Sequence, residues 1–78
     1  MNADPLLTVW TVYQNPSDHP GWWVLRAHDV VRGQENPVPR SEWHAALTLD
    51  GVRLALPPGL TRLDRNPTDD PVIYETWI

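Results

Sequence analysis

The run Val72-Ile73-Tyr74-Glu75-Thr76-Trp77-Ile78, reached through Asp69-Asp70-Pro71, constrains the fold more than any other part of this sequence. Six of its seven residues are β-branched or aromatic, side chains that fit a pleated, half-buried surface, so it reads as a strand. Pro71 has no amide hydrogen and fits at the first position of a strand or on an edge. A segment this apolar frays or aggregates unless earlier strands pair with it, and the expectation is that it closes a sheet.

The chain has 78 residues, room for a single domain over 1–78, with residues 1–5 reading as a disordered lead-in. A domain this short buries roughly 60% of the surface its unfolded chain exposes, so the core is small. No disulfide can reinforce it, because there is no Cys, which also removes thiolate chemistry and Cys-containing zinc sites.

Leu6 to Tyr13 alternates with apolar groups on both faces, as in a strand at the centre of a sheet. Gln14 to Gly21 holds two Pro, a Gly and Asn, Ser and Asp, the composition of a structured turn longer than a two-residue hairpin. Trp22 to Val31 is the second strand, with Trp23, Leu25, Ala27 and Asp29 chosen as the core face. Arg32 to Arg40 reads as a polar connection, and Ser41 to Leu47 fits either a short helix or extended chain. Thr48 is placed to cap a helix whose Leu49, Val52, Ala55 and Leu56 share a face, and Pro57-Pro58-Gly59 ends it. Gly51 inside that helix costs about 1 kcal/mol relative to Ala. Leu60 to Leu63 allows a further short strand, and Asn66 to Pro71 turns the chain into the last one. The expected fold is α+β: a small twisted antiparallel sheet of three to four strands with one helix packed on one face.

Five Trp at positions 10, 22, 23, 43 and 77 exceed what so small an interior holds, so two or three should reach the surface as an aromatic patch. Ten acidic residues stand against six Arg and no Lys, for a net charge of −4. This argues against direct binding of nucleic acid or of an anionic membrane surface; so modest a charge fits solubility first, and the better electrostatic partner is a basic protein surface. No stretch has the ~20 apolar residues that span a bilayer, and the start has no basic and apolar leader, so the expected location is cytoplasmic.

The chemistry of catalysis is poorly represented. Ser17 and Ser41 lie in no nucleophile elbow, and the four Gly form no phosphate-binding loop. His19, His28 and His44 match no metal-ligand spacing, and turn or surface roles fit them better. Of the adjacent Asp69 and Asp70, one is expected to satisfy backbone N–H groups in an Asx turn while the other is solvated. The expectation is therefore no enzyme, no cofactor and no metal. For binding, Asp64, Asp69, Asp70 and Glu75 lie near the last strand, with Trp22 or Trp77 as an apolar anchor. The same carboxylates also read as a solvated turn partly neutralised by Arg62 and Arg65.

Two blocks resemble a set of short phage and prophage proteins. The first is Tyr13-x-x-Pro16-x-Asp18-x-Pro20-Gly21-x-Trp23-Val24-x-Arg26. The second runs Leu56-Pro57-Pro58-Gly59-Leu60-x-Arg62-x-x-Arg65-x-Pro67-x-Asp69-Asp70-Pro71-Val72-Ile73-x-Glu75-x-Trp77. Together they cover roughly half of the chain, and the resemblance carries no catalytic residues with it. It implies a phage-borne accessory protein acting in the cytoplasm of the host bacterium. Small acidic proteins of that kind include anti-CRISPR inhibitors, which work by occupying a protein surface. The expected function is thus an inhibitor of a type I CRISPR effector, bound to a basic nucleic-acid-binding subunit and blocking target DNA. The alternative is a phage structural or host-takeover adaptor. Monomer and weak homodimer are both open, the latter through an exposed edge at the last strand.

Overall fold

The computed structural model describes residues 5–65 and 68–78. Residues 1–4 of the expected lead-in, and Asn66 and Pro67 of the turn before the last strand, lie outside them.

Five antiparallel strands form one sheet: β1 (Leu7–Gln14), β2 (Trp23–Val30), β3 (Val38–Ala46), β4 (Arg62–Leu63) and β5 (Ile73–Trp77), in the order β3-β2-β1-β5-β4. The α+β class agrees with the sequence reading, while the strand count exceeds the three to four expected. The additional strand is β3. Its residues Ser41 to Leu47 fitted helix or extended chain, and pairing with β2 settles them as strand through Ala46, beginning inside the segment read as a loop. β1 is central as expected. β5 lies between β1 and β4, so it closes the sheet from within, with the two-residue β4 pairing its outer side at Thr76 and Trp77.

The turn at residues 15–22 is tightly specified. Asn15 adopts a positive φ of 51° and its Oδ1 accepts from the Gly21 amide at 2.7 Å, while Gly21, at φ 82°, takes a conformation that a side chain would strain. The Asn15 amide then donates to the Trp22 carbonyl at 2.9 Å, starting the β1–β2 ladder.

Leaving β3 at one edge, the chain crosses one face of the sheet as α1 (Leu49–Arg53) and reaches β4 at the other edge. Thr48 caps the helix as predicted: its backbone is extended and its side-chain oxygen accepts from the Gly51 amide at 3.0 Å. The helix is shorter than its apolar spacing suggested. After Arg53 the chain tightens into bonds from the amides of Ala55 and Leu56 to the carbonyls of Val52 and Arg53, the 3₁₀ pattern that suits a segment about to meet Pro57. Val52 is buried against Trp10, Val12, Leu25 and Ala27, with Trp23, Ala46, Leu49, Ala55, Leu56, Leu60 and Trp77 packed around them. The choice of the Trp23, Leu25 and Ala27 face as core is thereby met, while Asp29, on the same face, is tied up by Arg40 and Thr8 near the sheet's other end.

In β5 the register shifts between Val12, which faces Glu75, and Tyr13, which faces Ile73. The extra residue is Tyr74. Its bulge turns both Tyr74 and Glu75 to the helix side, where the tyrosine ring meets Trp23 edge-on at 4.9 Å.

Candidate protein-binding surface

The face opposite α1 carries Val9, Thr11 and Tyr13 of β1, Arg26 and His28 of β2, Trp43 and Ala45 of β3, and Ile73 and Thr76 of β5, by strand alternation and register. No helix covers it. Two adjoining grooves share Tyr13. The first, about 530 Å³, runs past Asn15, Pro16, Asp18, Arg26 and Asp70. The second, about 290 Å³, lies between Val9, Thr11, His28, Pro37, Asp69 and Ile73.

At the β3 side a network organises the exposed Trp43. Its indole packs on the His19 ring at 4.8 Å, and the Arg26 guanidinium lies over it at 5.6 Å from the ring centre. Asp18 holds the Arg26 cation, its carboxylate 3.0 Å from Arg26 Nη2, and lies 3.3 Å from His19 Nδ1. The turn at residues 15–22 is thus fastened to the third strand by an aromatic–cation sandwich, and Trp43 keeps 45% of its surface accessible. Sequence reading left Trp43 out because its segment had no settled period. Its signal was the alternation of Trp43 and Ala45 with Glu42, His44 and Ala46, which becomes informative once the segment is known to be a strand.

Of the six residues expected to bind a partner, the structure brings together only some. Asp69 and Asp70 flank the open-face grooves. Asp70 is the member of the pair that forms the Asx turn, its Oδ1 accepting from the Val72 amide at 3.0 Å, while Asp69 is half-buried. Asp64 is exposed beside β4, at the far edge of the sheet. Trp22 is exposed by 41% where the turn meets β2. Glu75 and Trp77 lie on the helix side, and Trp77 packs on the core cluster. Glu75 is only 3% exposed and belongs to an internal ion pair, so its carboxylate does not join the acidic surface that its place in the sequence suggested.

That pair is bidentate. Arg53 Nε and Nη2 donate to the two Glu75 oxygens at 2.8 and 2.7 Å, joining the end of α1 to the middle of β5. The Arg53 hydrogen bonds hold the Glu75 carboxyl below its ordinary range, against a desolvation that raises it. The nearby Trp77 N–H lowers it further, although that buried group makes no well-formed hydrogen bond. A second tie joins three strands: the Arg40 Nε donates to both oxygens of Asp29 at 2.9 Å, and the Thr8 hydroxyl donates to Asp29 at 2.8 Å. These hydrogen bonds, from Arg40 first and then Thr8, lower the Asp29 carboxyl.

Among the described residues no three His, Asp or Glu side chains converge as metal ligands, and no helix is long and apolar enough to cross a membrane. Comparison with family models, curated proteins and solved structures finds no match to this chain.

Proposed function

We propose that the protein is a non-catalytic binding domain that acts by occupying the surface of another protein. In its finer form it is a phage-encoded inhibitor seated on a basic, nucleic-acid-binding subunit of a type I CRISPR effector, where it keeps target DNA out. The observation that carries the coarser reading is the pair of indoles, Trp22 and Trp43, left 41% and 45% exposed by a domain that buries Trp10 almost completely. Exposed Trp flanked by charge is the composition of binding anchors. The finer reading is supported by the net charge of −4, by the carboxylates of Asp18 and Asp70 beside the open face, and by the resemblance of two sequence blocks to short phage proteins.

The test is a plaque assay: the protein is expressed in hosts that carry different CRISPR types, each challenged with a targeted phage. Restored plaquing in a type I host is the expected result, and no rescue in any host overturns the inhibitor reading in favour of a phage adaptor. Within that assay, Trp22→Ala should weaken binding of the captured complex by about 2 kcal/mol if it is a central anchor. Charge reversal at Asp64 and Asp69 should chiefly slow association and flatten its salt dependence. Asp70 is better tested as Asp70→Asn, because its side chain also holds the turn before β5.

A further inference from the structure

The main chain of β3 points to how a partner is engaged. Asn15 donates to Trp22 of the β2 side and Gln14 to Val72 of the β5 side, which fixes the alternation across the sheet. Even-numbered residues of β2 therefore bond β1, and Trp23 and Leu25 bond their β3 partners Ala46 and His44. Trp43 and Ala45, lying between, turn their N–H and C=O groups away from β2. β3 is terminal in the sheet, and among the described residues nothing pairs with that outer side. Three residues, Arg40 to Glu42, stand opposite Ala27 alone, so the edge is bulged beyond Trp43 and regular only from Trp43 to Ala46.

Resting on the reading that this domain binds protein, we propose that the Trp43–Ala46 edge takes an extended cationic segment of the partner as a sixth strand. Charge decides the occupant. Arg26 and Arg40, the cations nearest this edge, are each engaged by an aspartate of the same domain, Asp18 and Asp29. Glu42 is 56% exposed along its side chain, with His44 at 3.4 Å as its contact. The surplus charge at the edge is therefore negative, and Lys or Arg on the incoming strand answers Glu42 on the helix side. Apolar residues alternating with them meet Trp43 and Ala45 on the open side. A second copy fits less well: pairing two of these edges about His44 sets histidine against histidine, brings no opposite charge to Glu42, and joins chains that each carry −4.

The test uses ¹⁵N-labelled protein and a capped octapeptide of alternating lysine and valine, with its glutamate–valine counterpart and a copy N-methylated at alternate amides. The expected result is shifted, exchange-protected amides at Trp43 and Ala45 with the lysine peptide. The other two peptides and Glu42→Arg should bind at least about tenfold more weakly. Ala45→Pro removes an outward N–H that the β2 ladder does not use, so it should keep the fold and lose the peptide. Shifts confined to the grooves around Tyr13, equal response to the glutamate peptide, no binding, or self-association sensitive to Ala45→Pro would each overturn the proposal. An Ala45→Pro protein that still rescues phage overturns this edge while leaving the inhibitor reading intact. Failed plaque rescue with an intact peptide response does the reverse.

Discussion

Glu75 shows how one residue can look like surface chemistry in a sequence and serve the interior of the fold. Its neighbours Asp69 and Asp70 mark an acidic turn, but the Tyr74 bulge delivers the Glu75 carboxylate to Arg53 on the helix side. Because its folded pKa is lowered, the pair stabilises the protein fully above the ordinary carboxylate range and loses that contribution as pH falls through the range towards the folded pKa. Thermal melts between pH 7 and pH 2 should show this loss, and Glu75→Gln should flatten it while lowering the melting temperature at pH 7. Arg53→Met, which leaves the buried acid unpaired, should cost about 2–3 kcal/mol by urea denaturation. That is less than for a fully enclosed pair, because the Arg53 side chain is 35% exposed. Gly51 makes a different residue-scale point. Helix propensity alone favours Ala there, but an added Cβ would lie 2.9 Å from the Thr48 oxygen and 3.1 Å from the Ala46 Cβ. Gly51→Ala should therefore fail to stabilise, and an increase of the unfolding midpoint would contradict this account of the cap.

The elements most legible in the sequence were those whose local pattern and tertiary environment agree. Leu7 to Gln14 and Trp23 to Val30 alternate, are bounded by turn residues, and pair with each other over their full length. The Thr48 cap was readable because its partner lies three residues away. Removing it with Thr48→Ala should cost about 1 kcal/mol, measured by chemical denaturation, and more of α1 than of the sheet should be lost to hydrogen exchange. β3 was not readable, since eight of its nine residues are exposed. A strand that buries neither face leaves only a short alternation, here Glu42 to Ala46, that does not tell strand from loop, and Pro37 and Pro39 reinforce the impression of a loop. What specifies β3 is long-range: its ladder with β2 and the Arg40 tie to Asp29, neither of which shows in a local window.

At the scale of the whole molecule, stability rests on few side chains. Leu25, Val12, Val24 and Val52 are the largest that are fully enclosed. Leu25→Ala should cost about 3 kcal/mol, a large part of the total for so small a domain, and its melting curve should shift accordingly. The surplus of Trp over core volume was visible in composition, and its outcome, exposed Trp22 and Trp43, followed. Which carboxylates share a face was not visible, because one bulge and one crossing helix decide it. The strand order carries a temporal meaning as well. β1, β2 and β3 are joined by successive hairpins and can assemble as each leaves the ribosome, but Thr11 finds its other neighbour only at Thr76. The β5 side of the central ladder, from Trp10 to Tyr13, therefore waits until β5 has been synthesised, and closing that long loop is expected to be the slow event of folding. Until then β1 is itself an open edge beside exposed Trp10, so a nascent chain stalled before β5 is the species most prone to aggregate.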